Sequence, residues 1–282
     1  MKPKLIRDQI GQIFTLPPTN ADLNTEVYWP KIVSLVPSLS ELIADLGLKD
    51  NLVGVSKFCT RGGFDRKKLA VGGTKNPNIN RIKNLKPDWI FANKEENRQE
   101  DVAALSEAAP VWVSDIKNLA DNYHLIASFG TIFACGDKAA ELIEKIRREF
   151  DELATFLAPK PRPKVAYLIW ENPIMVAGGD TFIQDMLNWA GFENVFADAN
   201  RYPTVTEADL LQSGAELLLL SSEPFPFGET HLQKYAAMGQ NLLPILVNGE
   251  FFSWYGSRPL LAAGYFRQFW QDNEQALLGV AR

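Results

Sequence analysis

Histidine and cysteine are scarce in this sequence, which contains two of each among its 282 residues. His124 and His231 offer little imidazole for metal ligation, and Cys59 and Cys135 are too far apart for a CxxC metal motif or a disulfide framework. We expect two reduced, packed thiols, with a single disulfide as the alternative. The sequence therefore predicts no resident metal centre and no intrinsic cofactor.

Long apolar runs and an excess of basic charge are also missing. Purely apolar stretches such as Leu217–Leu220 are far shorter than the roughly 18 to 20 residues that a membrane-spanning helix needs. The chain has 29 Lys and Arg residues against 34 Asp and Glu residues, and the resulting net charge of -5 repels a phosphate backbone. We therefore expect neither a membrane span nor a nucleic-acid partner.

Common enzyme motifs are absent as well. The chain has no GxGxxG, no GxxxxGK[ST] phosphate loop, no GxSxG nucleophile elbow and no HExxH zinc motif. Their absence favours a binding protein over an enzyme, and a cofactor-dependent enzyme remains an alternative.

Short β-branched runs alternate with helical patterns along most of the chain, as in βα units with mainly parallel sheets. The length of 282 residues is almost twice the roughly 150 residues of an average domain, which favours two lobes. The predicted strands are Ile32–Val36, Leu52–Val55, Trp89–Ala92, Val111–Val113, Val165–Ile169, Leu217–Leu220 and Ile245–Val247.

Two helices are marked most clearly. In the first, Ser38 is expected to cap the helix, Glu41 completes a capping box and Gly47 ends it. The longest helical pattern, Asp137–Leu157, stops before Pro159. We predict an α/β fold with two Rossmann-like lobes and one connecting helix: an N-terminal lobe at residues 1–136, the helix at 137–158 and a C-terminal lobe at 159–282.

Ligands of open parallel sheets bind beyond the carboxyl ends of the strands, where loops enter helices. In the first half these loops include Pro37, the segment 56–61 and the turn with Thr74 and Lys75. In the second half they include Trp170, Tyr202 and the segment 248–258.

The segment 248–258 holds four aromatic residues within five positions, which suits a bulky planar ligand. Trp254 and Tyr255 are expected to form a ligand wall beside a surface turn, whereas the two preceding phenylalanines are expected to pack under the following helix. Arg258 is predicted either to pair with a ligand carboxylate or phosphate, or to cap a backbone carbonyl.

The sequence resembles the helical-backbone, class III periplasmic binding proteins in five segments. These are IVSLVPSLSELIADLGLKDNLVGVS at 32–56, GGTKNP at 72–77, LKPDWIFA at 85–92, WENPIMVAGGD at 170–180 and FFSWYGSR at 251–258. The resemblance implies two α/β lobes joined by a long helix, a metal chelate clamped between them and a periplasmic location. Cobalamin, haem and ferric-siderophore receptors share this architecture.

The resemblance also implies site residues. Phe58 matches a cobalamin-contacting aromatic, whereas Thr74 stands where the cobalamin receptors have a tryptophan. Asn80 and Ala208 stand where importer-linked members dock on the permease through glutamates, and Glu207 and Asp209 are candidate substitutes for the second. The predicted ligand-binding residues are Pro37, Phe58, Thr74, Lys75, Trp170, Tyr202, Trp254, Tyr255 and Arg258.

We predict a monomeric, non-catalytic solute-binding protein for a corrinoid, haem or ferric siderophore, acting with an ABC permease. The alternative is a cytoplasmic tetrapyrrole sensor or chaperone without a transporter. No export signal follows Met1, which predicts a cytoplasmic location if Met1 is the native start. However, RDQIGQIFTL at 7–16 resembles the opening of exported members.

Overall fold

The computed structural model describes residues 5–16, 30–60, 63–65, 69–239 and 242–280. The chain divides into two compact units. Unit 1 comprises residues 1–116, 120–143 and 255–257, and unit 2 comprises 117–119, 144–254 and 258–282. The domain ranges predicted from the sequence assume one boundary on either side of a connecting helix, and they stay a prediction.

A short antiparallel hairpin opens unit 1 and was not expected from the sequence. It consists of β1 (Leu5–Arg7) and β2 (Ile13–Thr15). Between the two strands, the Asp8 carboxylate accepts hydrogen bonds from Ile10 N and Gln12 N at 3.2 and 2.8 Å. Its second oxygen accepts one from Val113 N at 3.1 Å. The turn is therefore fastened to the strand that contains Val113.

Unit 1 is built on a four-stranded parallel sheet in the order β4-β3-β5-β6. Every residue of its two aromatic-containing strands is buried, as expected for a parallel sheet that is covered on both faces. The strands are β3 (Ile32–Ser34), β4 (Leu52–Val55), β5 (Trp89–Asn93) and β6 (Val111–Ser114).

The first helix of the chain begins at a different residue from the one predicted. Pro37 is the first helical residue and Val36 is the N-cap, so the predicted Ser38 cap and its capping box with Glu41 are wrong. Proline fits this position because its fixed φ suits a helix start and its missing N–H has no helical partner to lose. The helices of the first half of the chain are α1 (Pro37–Ile43), which is followed by the helical turns Ala44–Leu48 and Lys49–Asn51, α2 (Ile79–Leu85), α3 (Gln99–Ser106), α4 (Leu119–Ile132) and α5 (Gly136–Leu157). Gly47, the predicted end of the first helix, has a non-helical backbone with φ of 88°.

Unit 2 contains a five-stranded sheet in the order β11-β10-β7-β8, with β9 also paired to β7. All pairs are parallel except β7 with β8. The strands are β7 (Lys164–Glu171), β8 (Ile174–Val176), β9 (Glu193–Asn194), β10 (Leu217–Ser221) and β11 (Leu243–Val247). The helices are α6 (Phe182–Trp189), α7 (Glu207–Gln212), α8 (Glu229–Ala236), α9 (Glu250–Ser253), α10 (Pro259–Asp272) and α11 (Glu274–Val280).

The two parallel sheets and their covering helices confirm the predicted α/β class. All seven predicted strands are present, with bounds that shift by up to two residues, and the long helix begins one residue earlier, at Gly136. Within the described ranges, no helix is both long and apolar enough to span a membrane.

Candidate ligand-binding site

The carboxyl edge of the unit 1 sheet is organised by buried amide and hydroxyl side chains. Asn93, the last residue of β5, donates from Nδ2 to Ser114 O at 3.1 Å, and its Oδ1 accepts from Glu95 N at 2.8 Å. Asn97 Oδ1 accepts from Asn93 N at 2.9 Å, and Asn97 Nδ2 donates to Thr74 O at 2.8 Å. This network fixes the turn after β5 and ties it to the Thr74 loop.

Three predicted site residues, Phe58, Thr74 and Lys75, lie on neighbouring loops of this edge. The Phe58 ring is 51% exposed, and a Cβ added at Gly73 would come within 3.3 Å of it. The ammonium group of Lys57 lies 5.0 Å from the centroid of the same ring. Thr74 is buried, while exposed Lys75 donates to Glu95 O. The structure thus brings an exposed ring and a cationic side chain together at this edge.

Pro37 and Tyr255 belong to the same edge of unit 1. Pro37 begins α1, and the next residue, Ser38, hydrogen-bonds to the Tyr255 hydroxyl. That hydroxyl also lies 3.4 Å from Ser114 Oγ, and burial raises the pKa of Tyr255 above its ordinary value. Tyr255 is only 6% exposed and the following Gly256 and Ser257 are buried, so the predicted surface turn is wrong. The backbone here is held inside unit 1 by hydrogen bonds.

In unit 2, Trp170 projects from the end of β7 and is 39% exposed. Its Nε1 donates to Asn172 O at 3.2 Å, and its ring centroid lies 5.6 Å from that of Phe225 in an edge-to-face arrangement. The indole is therefore held in place while part of its surface faces solvent.

Tyr202 is half-buried in a segment that runs along the loop after β8. Gly178 N donates to Arg201 O at 2.7 Å, and Val176 N donates to Pro203 O at 3.1 Å. Both backbone bonds flank Tyr202, so its position depends on the close approach of these two segments.

Trp254 and Arg258 form a separate cluster in unit 2. The guanidinium carbon of Arg258 lies 5.0 Å from the Trp254 ring centroid and 5.8 Å from that of Phe251. Its Nη1 lies 3.8 Å from a carboxylate oxygen of Glu250, and the residue is 3% exposed. Arg258 thus stacks on aromatic rings, and its predicted contact with a ligand, like the alternative cap on a backbone carbonyl, stays a prediction. Phe251 stacks on Tyr265 of α10 at 4.5 Å, which confirms the packing expected for it.

The loop after β10 was missed by the sequence reasoning. Phe225 and Phe227 lie 4.7 Å apart, centroid to centroid, and Phe225 contacts Trp170. The available signal was the run EPFPF at 223–227, in which two phenylalanines alternate with two prolines shortly after a buried strand. Because an alternating proline run reads as a turn, its rings were not assigned to the site.

The candidate docking acids of α7 are engaged inside unit 2. Glu207 forms an ion pair with Lys234 at 3.0 Å. Asp209 accepts hydrogen bonds from Thr206 N and Oγ1 at 2.8 and 2.7 Å, which completes a capping box and lowers the pKa of Asp209. Asn80, the matching position in unit 1, is exposed on α2.

Metal-ligating side chains do not cluster in the part of the chain that the structure describes: no group of three or more His, Cys, Asp or Glu residues is arranged to hold an ion. Both cysteines are free thiols, as predicted. Cys59 is buried and its Sγ lies 3.2 Å from Ser40 Oγ.

The chain is thus built of two α/β units with mainly parallel sheets, each with an exposed aromatic residue at the carboxyl edge of its sheet. Residues 32–217, more than half of the chain, match the family model described as periplasmic binding protein. The chain therefore belongs to the periplasmic binding protein family, whose members are periplasmic.

A relative in this family is the vitamin B12-binding protein of Yersinia pestis (strain Pestoides F), which is 26% identical over 242 residues, covering 83% of each chain. The periplasmic vitamin B12-binding protein of Vibrio cholerae has a similar structure, with a TM-score of 0.74, 21% identity and coverage of 88% of this chain and 99% of that one. The periplasmic haem-binding protein of Roseiflexus sp. RS-1 also has a similar structure. Its TM-score is 0.73 at 19% identity, and the match covers 90% of this chain and 100% of that one. These structures share the fold.

Proposed function

We propose that this chain is the solute-binding component of an ABC importer and binds a metal chelate with a broad planar face, of the corrinoid, haem or ferric-siderophore type. One observation carries the proposal: each unit presents an exposed aromatic ring at the carboxyl edge of its sheet, Phe58 at 51% and Trp170 at 39%. Rings held in place at an edge give large contact area to a planar ligand at little cost in entropy. The vitamin B12 and haem named for similar proteins support this ligand class.

The proposed ligand contacts follow from the residues at the two edges. Phe58 and Trp170 pack on the planar face, and Lys75 and Tyr202 lie on loops of the same edges. The full proposed set is Pro37, Phe58, Thr74, Lys75, Trp170, Tyr202, Trp254, Tyr255 and Arg258. The ligand is bound without chemical change, so no residue is assigned a catalytic role, and we expect the protein to act as a monomer.

A second candidate, a cytoplasmic tetrapyrrole sensor or chaperone without a transporter, is favoured by the acids of α7. Glu207 is paired with Lys234 and Asp209 is used in a cap, so both carboxylates already have partners inside unit 2. Cell fractionation separates the candidates in part: recovery in the periplasm favours the importer component, and recovery in the cytoplasm favours the sensor or chaperone.

A visible-absorbance titration tests the proposed ligand class. Purified protein is titrated with cobalamin, cobinamide, haem and a ferric hydroxamate siderophore, and each mixture is also heated to record the melting temperature. We expect saturation at one ligand per chain for at least one chelate, with a raised melting temperature because the ligand binds only the folded state. No spectral change and no thermal shift with all four would refute the proposal.

Single substitutions then test the two rings. Trp170→Ala and Phe58→Ala should each weaken binding by about 5- to 150-fold, which corresponds to about 1–3 kcal/mol for a buried aromatic contact. Leu211→Ala is the matched control, because Leu211 is a 52% exposed apolar residue on α7. Unchanged affinity in both aromatic variants would show that the ligand binds elsewhere.

A further inference from the structure

One corner of unit 2 brings a histidine and two phenylalanines together with the predicted site residue Trp170. We call it the aromatic corner, and it consists of Trp170, Phe225, Phe227 and His231. Phe225 contacts the Trp170 ring at 5.6 Å, and the His231 ring lies 5.1 Å from Phe225 and 5.4 Å from Phe227, edge to face in both cases. The corner lies beyond the carboxyl ends of β7 and β10, where an open parallel sheet binds its ligands.

His231 is held in one tautomer by the start of α8. Gly228 is the N-cap, and its backbone N–H donates to His231 Nδ1 at 3.1 Å, while His231 N donates back to Gly228 O at 3.0 Å. Because Nδ1 accepts a hydrogen bond, it carries no proton, and the proton of the neutral ring resides on Nε2. Within the described residues, no protein group is hydrogen-bonded to Nε2.

This tautomer is the wrong one for metal ligation. A bond from Nε2 to a metal requires a lone pair on Nε2, and the proton would have to move to Nδ1. At Nδ1 the proton would face the Gly228 N–H, so ligation through Nε2 would break the hydrogen bond from Gly228 N to His231 Nδ1 at the start of α8. An Nε2–H group is suited instead to donate to an oxygen atom.

The other polar groups beside the corner are already occupied. The Tyr235 hydroxyl donates to Glu171 Oε2 at 2.6 Å, and Lys234 Nζ lies 2.7 Å from Glu171 Oε1. Burial and the Glu171 charge raise the pKa of Tyr235, which keeps the phenol protonated. Tyr235 therefore offers no phenolate to a metal, whereas His231 Nε2 has no protein hydrogen-bond partner among the described residues.

We propose that His231 donates an Nε2–H hydrogen bond to a carbonyl or carboxamide oxygen on the rim of the bound chelate and does not coordinate its metal. His231 then leaves the axial ligands of the metal unchanged. This inference rests on the proposed function, because it needs a chelate to be bound at the carboxyl edge of unit 2.

The test uses aquacyanocobinamide, whose cobalt carries an exchangeable water and whose visible bands move when imidazole replaces that water. Wild-type protein, His231→Phe and His231→Gln are each titrated, and both the band position and the affinity are recorded. His124→Phe is the matched control, because His124 is an exposed histidine on α4. Circular dichroism and the urea midpoint establish that each variant is folded.

We expect the bound bands to stay where they are for the free compound, with no imidazole-type shift. His231→Phe should weaken binding by about two- to tenfold, the range for one hydrogen bond, and His231→Gln should bind more tightly than His231→Phe because its amide also donates. An imidazole-type shift that His231→Phe abolishes would overturn the proposal, and so would equal affinity of wild type and His231→Phe. If wild type binds none of the four chelates, the proposed function itself fails, and this inference fails with it.

Discussion

Asn122 and Gly256 exchange two hydrogen bonds: Gly256 N donates to Asn122 Oδ1 at 2.6 Å, and Asn122 Nδ2 donates to Gly256 O at 3.0 Å. Both residues are buried, and Gly256 has φ of 84°, a conformation that glycine adopts without strain. A single side-chain amide thus satisfies both backbone groups of Gly256, the middle residue of the short segment 255–257 that belongs to unit 1.

Asn122→Ala should therefore destabilise the protein. It leaves the N–H and C=O of Gly256 buried without their partner, at a cost of about 1–3 kcal/mol for each group. Urea unfolding followed by circular dichroism measures the loss. Asn84→Ala is the matched control, because Asn84 is an exposed residue on α2, and its midpoint should change little. Equal midpoints for the two variants would show that the Gly256 backbone finds other partners.

The backbone of another segment lies so close to Gly179 that a side chain at this position would collide with it. A Cβ added at this position would lie 2.2 Å from Ala197 O, and one at Gly178 would lie 2.3 Å from Ala199 O. Since a backbone carbonyl cannot rotate away as a flexible side chain does, Gly179→Ala should lower the free energy of unfolding by about 1–3 kcal/mol or more.

Gly264→Ala provides the opposite control for this substitution. Gly264 lies inside α10 with no heavy atom within 4 Å of an added Cβ, so the change should raise the free energy of unfolding by about 0.5–1 kcal/mol. Thermal unfolding of both variants measures whether Gly179→Ala lowers the stability and Gly264→Ala raises it. A stabilised Gly179→Ala variant would contradict the proposed crowding.

The strands were predictable because they are short apolar runs whose burial follows from their composition. The predicted and observed bounds coincide at Leu52–Val55, and Leu217–Leu220 gains one residue. Strand β8 was missed because its three residues become a strand only by pairing with β7, a tertiary event that leaves no alternation to detect. The start of α1 was misplaced because Pro37 and Ser38 are both good helix-start residues, and the proline took the first helical position.

The candidate site was predictable where a residue stands alone at a strand end, as Trp170 does. It was not predictable where a contact joins distant segments. The hydroxyl of Tyr255 meets Ser38 and Ser114, and Phe225 meets Trp170, and no local pattern encodes either pairing. Residue type indicated which rings are candidates, whereas tertiary packing decided which of them face solvent.

The two thiols should differ in reactivity. Cys59 is 2% exposed, and Cys135 is half-buried, where burial raises the pKa of its thiol despite the opposing charge of Lys138. Because the thiolate is the reactive form, Cys135 should react with a disulfide reagent more slowly than free cysteine, and Cys59 only on unfolding. Both thiols should titrate in denaturant without reductant. Recovery of neither thiol under those conditions would indicate a disulfide.

Asp8 should make stability depend on pH with an unusual sign. Burial raises the pKa of Asp8 above 3.8, even though backbone N–H groups of Val113, Gln12 and Ile10 oppose the shift. Between pH 3.8 and the raised value, the folded state binds more protons than the unfolded state, so the contribution of Asp8 to stability falls as pH rises. Above that window the ionised carboxylate carries the full desolvation cost.

Urea unfolding of wild type and Asp8→Asn from pH 3.5 upward measures this contribution. An asparagine side chain has one acceptor oxygen, so it cannot accept hydrogen bonds both from the turn and from Val113 N. Asp8→Asn should therefore be less stable than wild type at low pH, where Asp8 is protonated and its desolvation penalty is smallest. As pH rises through the window, the wild type should lose stability relative to the variant, and the gap should narrow. A gap that widens with pH would mean that the backbone donors outweigh burial and that the pKa of Asp8 is lowered in the folded state.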